Sequence, residues 1–550
     1  MKYPILLFFG LLLRSSLLTA QIPVFELQWD KKAGGTDDDI IATFMLSPDS
    51  GFILCGTSFS GISGDKTQAN HDTSQTTSDF WIVKTDNAGV ILWDKRYGGN
   101  LTEVLIDATV TSDGGIASGG QSYSGIDGDK TEPNHDSTML SNDYWIVKTD
   151  ESGIVQWDKR FGGSSYELFG SIRQVADGGF IISGSSFSGA DGDKSEASQG
   201  GWDFWIVRTD ATGNKLWDKR FGGTGDEFST SLEVTVDGDY LVAGYSNSGI
   251  SGDKSEVGRG STDYWVVKVN DAGVKLWDKT LGGNYNDWLF AISLTDDGGY
   301  IFGGQSFSEA TGDKTTPNHD PAPSGSDRWI VKTDSDGNKL WDRTIGGMAT
   351  DDLSRIARTS DGGYLLSGES YSQIGGDKTE ANLGPEQTWV VKTDSLGLVL
   401  WDKTIFTDGH DEAGSAIPYG DDCFIAVNFT QADTGGYKSE LSWGYGDYWM
   451  VKMCDLQTLS LHETGAGNTS WLCYPNPVTD VINIVSHTLF RDVTIQLFDA
   501  SGKLVEVLNN LSGADGSVLQ IDSSNLPKGI YVCRVIDAQN VFNIRIVKTG

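Results

Sequence analysis

The chain has 550 residues, a formal net charge of −35, 70 glycines and 18 tryptophans. That length accommodates one large domain and a small one. The acidic balance excludes nucleic acid, whose recognition needs a basic footprint, and disfavours docking on anionic lipid.

The chain opens "MKYPILLFFGLLLRSSLLTAQ", with Lys2, an apolar run over residues 4–13 and small Ala20 before Gln21. This pattern predicts a secretory signal peptide over residues 1–20. The apolar run is too short to span a bilayer comfortably, and no later segment is apolar enough to do so, so no transmembrane segment is expected in the mature chain. Five scattered cysteines (Cys55, Cys423, Cys454, Cys473, Cys533) give no disulfide framework and no zinc spacing. Cys454 and Cys473 flank a linker and form a candidate bridge.

Residues 22–456 restate one sentence. A "WD" pair recurs at Trp29, Trp93, Trp157, Trp217, Trp277, Trp341 and Trp401, and a second tryptophan at Trp81, Trp145, Trp205, Trp265, Trp329, Trp389 and Trp449, every 60 or 64 residues. Each copy resolves into four strand-like runs, A to D. In the fourth they read "EFSTSLEVTV", "DYLVAGYSN", "DYWVVKVN" and "GVKLWDKTL". "DGG" turns join A to B, where glycine accepts positive φ, and "TDxxG" turns join C to D. Strand C, as in "FWIV" at 80–83, has the unbroken apolar character of a strand buried on both faces. Four antiparallel strands in each of seven copies predict an all-β, seven-bladed β-propeller. A D-type strand (Val24–Ala33) precedes the first A, and the last copy lacks a D. The N-terminal strand is therefore expected to complete the seventh blade and cover its edge.

The B–C and D–A loops should share one face, and long loops are where binding resides. Acids begin strand A in all seven copies: Asp39, Glu103, Glu167, Glu227, Asp287, Asp351 and Asp411. They are expected to ring the channel mouth, either as a binding rim that could take calcium or as internal acceptors for the "GG" turns. A "GDK" lysine follows in every B–C loop (Lys66, Lys130, Lys194, Lys254, Lys314, Lys378, Lys438), where it is expected to bridge carboxylates. It supplies the positive charge a metal would, so no cofactor is expected. Sevenfold repetition also argues against a reaction centre, which needs one constellation. Departures from the repeat are better candidates: "NHD" at 70–72, 134–136 and 318–320, expected to cap its own loop, and Arg328 and Thr388, which replace the aromatic residue before the strand C tryptophan. No nucleophile elbow, phosphate loop or dinucleotide fingerprint occurs.

The repeat stops after residue 456. A linker over 457–470 leads to residues 471–550, whose strand runs predict a small Ig-like β-sandwich. The motifs are "YPNPVTDVINI" (474–484), "VTIQLFDASGKLV" (493–505), "LPKGIYVCRV" (526–535) and terminal "VKTG". They resemble the type A C-terminal sorting domain of the type IX secretion system. Tyr474, Pro475, Asn476, Pro477, Asp499, Gly502, Gly529, Tyr531 and Lys548 carry the match. The resemblance implies Sec export, passage across the outer membrane by the type IX machinery, and a secreted or cell-surface location. The propeller copies are similar to glycine-rich seven-bladed repeats of secreted cargo. The propeller is expected to be a non-enzymatic binding or scaffold module for a glycan, envelope component or protein. The alternatives are an extracellular polysaccharide-active enzyme with its site in the channel, and a calcium-stabilised surface structural protein.

Overall fold

The computed structural model describes residues 23–455 apart from 73–75, 137, 139 and 321–324. It also describes 471–548 apart from 475–477, 479, 487–489, 500–502, 515, 516 and 537–540. The expected signal peptide and linker lie outside the described residues. The chain divides into two compact units, Leu27–Met453 and Cys454–Gly550 with Pro23–Glu26. Every long described element is a strand, and no described helix is long and apolar enough to cross a membrane.

The large unit is built from seven four-stranded sheets. Blade one pairs Asp39–Leu46, Phe52–Ser58, Asp79–Thr85 and Ile91–Tyr97 in chain order, and blades two to six repeat this A-B-C-D order. The seventh runs Asp411–Tyr419, Cys423–Thr430, Asp447–Asp455 and then Phe25–Ala33, the expected closing strand. Strand A of blades one to five carries a β-bulge, as between Leu289 and Ala291. A bulge bends the strand and re-aims one side chain.

The restated sentence is a set of staples. The indole N–H of every strand C tryptophan donates to the aspartate of "WD" on strand D, as Trp145 Nε1 does to Asp158 Oδ2 at 3.0 Å. The same carboxylate accepts the backbone N–H after "GDK", as from Thr131 at 3.0 Å. In blade seven both donors, Trp449 Nε1 (3.2 Å) and Ser439 N (2.8 Å), reach Asp30 on the N-terminal strand. Closure is thus made by the motif that staples the other six blades.

Neighbouring blades interlock through the residue before that tryptophan. Phe80, Tyr144, Phe204 and Tyr264 each pack on the next blade's strand C indole at centroid distances of 4.8–5.1 Å, and Tyr448 packs on Trp81 at 5.0 Å. Arg328 keeps the pattern as a cation–π contact, its guanidinium 4.4 Å from Trp389. Thr388 breaks it. Its hydroxyl accepts from Asn428 Nδ2 at 3.0 Å, so the seam between blades six and seven is polar.

The small unit has two sheets. Trp471–Tyr474, Val481–Ser486 and Val518–Asp522 form one; Leu504–Gly513, Phe490–Asp499, Gly529–Ile536 and Val541–Lys548 form the other. Ile482, Ile484, Ile495, Leu497, Val535 and Ile546 build its core. Cys423 and Cys454 are disulfide-bonded, and Cys55 and Cys533 are buried and form no disulfide. The side chain of Cys473, the expected partner of Cys454, lies outside the described residues.

Candidate functional site in the channel and its mouth

The seven acids that begin strand A are fully buried, and none lines the channel cavity. Each is engaged within its own blade. Asp287 accepts from Gly283 N at 2.7 Å and Ser308 Oγ at 2.9 Å, and Glu103 from Gly99 N and Ser122 Oγ, both at 2.8 Å. Burial pushes the Asp287 and Asp411 carboxyls up to about 6. The binding rim expected at these positions is a ring of inward-turned carboxylates, and the exposed groups of the mouth are their neighbours.

The "GDK" lysines are also buried, but they do not bridge carboxylates as expected. Lys66 Nζ donates to Ser58 Oγ (2.8 Å) and the Ser60 carbonyl (2.9 Å), and Lys130 repeats this with Ser122 and Ser124. Burial pushes both amines down to about 8. Neutral oxygens solvate a cation held away from water while the nearby acids act through space. The "GDK" aspartate works between blades: Asp129 accepts from Arg96 Nη1 (2.7 Å) and Gly98 N (3.1 Å) of the preceding blade. The "NHD" histidines join the same staple. Their backbone N–H caps their own blade, His71 to Asp79 at 3.0 Å, as expected. Their imidazoles reach across to the next blade, His71 to Asp129 at 3.4 Å and His135 to Asp193 at 3.2 Å, which was not expected.

The strand A segments of all seven blades line a cavity of about 610 Å³. It holds charges that the sequence reading missed. Arg173 bridges Asp107 (2.7 Å) and Glu233 (3.0 Å), which outweigh burial and hold its guanidinium protonated. Arg355 ion-pairs with no carboxylate among the described residues. It donates to the Phe44 carbonyl at 2.9 Å and stacks 5.2 Å from the Phe44 ring, and burial pushes it down to about 10. The available signal was charge within strand A, the strand assigned to the channel.

Above the cavity lies a tier at which the seven copies differ. It pairs the second residue of strand A with the penultimate residue of strand B. Blades one to three place Ile40–Thr57, Val104–Gln121 and Leu168–Ser185 there. Blades four and five place Phe228–Tyr245 and Trp288–Gln305. In blade six Asp352 N donates to the Glu369 carbonyl, and in blade seven Glu412 faces Phe429. The mouth is therefore aromatic on one side and acidic on the other. Burial pushes Asp352 up to about 6 and raises Glu369, which the charges of Asp352 and Glu412 raise further. Beside them, His410 lies between Glu386 and Glu412, with one ring nitrogen toward each carboxylate. These three could hold a metal ion, their ligand atoms lying within 4.8 Å of one another. The contacts of the His410 ring to the two carboxylates also stand without an ion.

Comparison with known proteins decides the small unit. Residues 472–549 match the family model described as a secretion system C-terminal sorting domain. The tail is a type IX sorting domain. It marks the chain for export by type IX secretion to the cell surface or extracellular space. Tyr531 and Lys548 of the sorting motif are buried, Tyr531 donating to the Pro527 carbonyl at 2.8 Å. Tyr474, Asp499 and Gly529 lie on strands, and Pro475, Asn476, Pro477 and Gly502 lie outside the described residues. Over the rest of the chain the likenesses are distant. Regulatory protein FlaEY of Caulobacter vibrioides is 25% identical over 370 residues, 62% of this chain and 37% of that protein. A Dyadobacter fermentans protein of unknown function covers 79% of this chain and all of its own, at 11% identity and TM-score 0.38. The Neurospora crassa Pan2 WD40 domain covers 60% of this chain and 86% of its own, at 11% identity and TM-score 0.32.

Proposed function

We propose that the exported propeller is a non-enzymatic binding protein that engages its ligand at the channel mouth. One observation carries this reading. The residues that recur in every blade are engaged in staples, whereas the tier over the cavity differs from blade to blade. A surface that differs in each of seven otherwise matching blades serves a single ligand better than it serves the fold. The test is co-sedimentation of the secreted chain with extracellular polysaccharide and envelope fractions, with soluble products measured in parallel. Binding without product, lost in a Trp288→Ala/Glu369→Gln double variant, is the expected result. Binding untouched by that variant overturns the reading.

A second reading, an enzyme acting on extracellular polysaccharide, is favoured by the crowded Asp352 and Glu369. A pair with one carboxyl raised into the near-neutral range resembles an acid and its partner in glycoside hydrolysis. Product release that disappears in Glu369→Gln would establish it.

A further inference from the structure

Within the mouth, six aromatic rings run unbroken across blades three to five. Phe187 packs on Trp202 (5.5 Å), Trp202 on Phe228 (6.0 Å), Phe228 on Tyr245 (5.3 Å), Tyr245 on Trp288 (6.0 Å) and Trp288 on Phe307 (5.3 Å). Phe187 is 50% exposed and the other five are half-buried. Phe187 and Phe307 share a loop position that is aromatic in five of the seven blades, but the rings that join them do not recur through the repeat. The residues matching Phe228 in other blades are Ile40, Val104, Leu168, Asp352 and Glu412 as well as Trp288. The row is therefore an asymmetric platform, tied to the cavity by Tyr245, whose ring lies 6.4 Å from that of cavity-lining Phe290.

We propose that this platform binds a polysaccharide chain, uncharged or amine-bearing, across the mouth of the channel. The proposal rests on the mouth being the binding surface, and it names the class of ligand.

Three features choose this occupant. An aromatic face carries a negative quadrupole that attracts the polarised C–H face of a sugar ring, and rings in a row offer successive sugars the same contact. Hydrogen-bonding groups stand beside the rings: the Gln305 carboxamide and the Tyr245 hydroxyl donate to no described residue. The Glu369 carboxylate, which accepts from Ala413 N, and the Glu412 carboxylate, which faces His410, have the chemistry to accept from sugar hydroxyls as well. Neither the tier nor the first residue of any B–C loop (Phe59, Tyr123, Phe187, Asn247, Phe307, Tyr371 and Gln431) includes a lysine or arginine. With a chain charge of −35, acidic glycans are repelled, and amines are drawn to the acidic side. Half-exposed rings among polar groups also differ from the closed apolar pocket that anchors a hydrophobic peptide.

The full mature chain is titrated calorimetrically with oligosaccharides of glucan, mannan, xylan, chitosan and alginate, and with an aromatic-rich decapeptide. At least one of the first four is expected to bind and alginate is not. Phe187→Ala and Trp288→Ala should each weaken binding about tenfold at unchanged melting temperature. If Trp288→Ala fails to fold, the more exposed Phe187→Ala decides. Glu369→Gln should weaken chitosan alone. Failure of all four carbohydrates overturns the proposal, and so does preference for alginate. Decapeptide binding alone, lost in Trp288→Ala, sinks the carbohydrate and leaves the mouth as the binding surface. Carbohydrate binding undiminished in both aromatic variants sinks both.

Discussion

Ser50 shows what one residue contributes to a turn that is otherwise always glycine. The A–B turns place Gly114, Gly178, Gly238, Gly298, Gly362 and Gly420 at φ between +70° and +86°, and Ser50 occupies the same place at +69°. A Cβ in the left-handed region costs on the order of 1 kcal/mol. Ser50→Gly should therefore stabilise the propeller by about that amount, read as a higher denaturation midpoint at unchanged slope. Titration gives a second prediction at this scale. Burial raises Asp79 to about 7 and Asp203, Asp287 and Asp411 to about 6. Each binds its proton more tightly folded than unfolded, so the folded state holds more protons between the ordinary aspartate value and these raised ones. Stability then falls as pH rises through about 4 to 7. The lysines held near 8 have the opposite slope from there upward, because the unfolded chain holds more protons. The melting temperature should thus be higher at pH 5 than at pH 7.5, and Asp287→Asn should shrink the difference. A melting temperature that drops from pH 7.5 to pH 5 would contradict this account.

At the scale of the element, the closing strand and the polar seam carry the consequences. Asp30 and Asp158 hold the same two donors, an indole N–H and a loop N–H, so alanine at either leaves both buried and unpaired. Each substitution should cost about 2–4 kcal/mol. Only Asp30→Ala should also release the strand Phe25–Ala33, baring the edge of Asp447–Asp455 and promoting association, measurable by light scattering. Equal scattering from both variants would mean that the strand is held otherwise. The strand order and the closure were legible because period, turn glycines and the displaced "WD" are local signals. The mouth was not. The sequence reading weighted residues by recurrence, and Asp287 or Lys314 recur because they are buried inside each blade. Phe228, Tyr245 and Trp288 are not fixed by the repeat; the strand register pairs the first two and blade stacking adds the third. Arg173 and Glu233 lie on neighbouring blades and meet only when those blades stack.

For the whole molecule, the division of labour between the two units makes a prediction about export. Each unit has its own hydrophobic core, the propeller's lying between successive blades and the tail's between its two sheets. The tryptophan–aspartate staples of the propeller lie within residues 27–453. A chain ending at residue 456 should therefore keep the cooperative melting of the propeller, yet remain inside the cell when expressed in a host with type IX secretion. Residues 457–550 fused behind an unrelated folded reporter carrying a Sec signal should bring that reporter to the surface or medium. Fractionation followed by protease accessibility separates the cases. Export of the shortened chain would show that the propeller carries its own address. Loss of its cooperative melting would show that the cores are coupled. Retention of the shortened chain with export of the reporter would place the address in the tail.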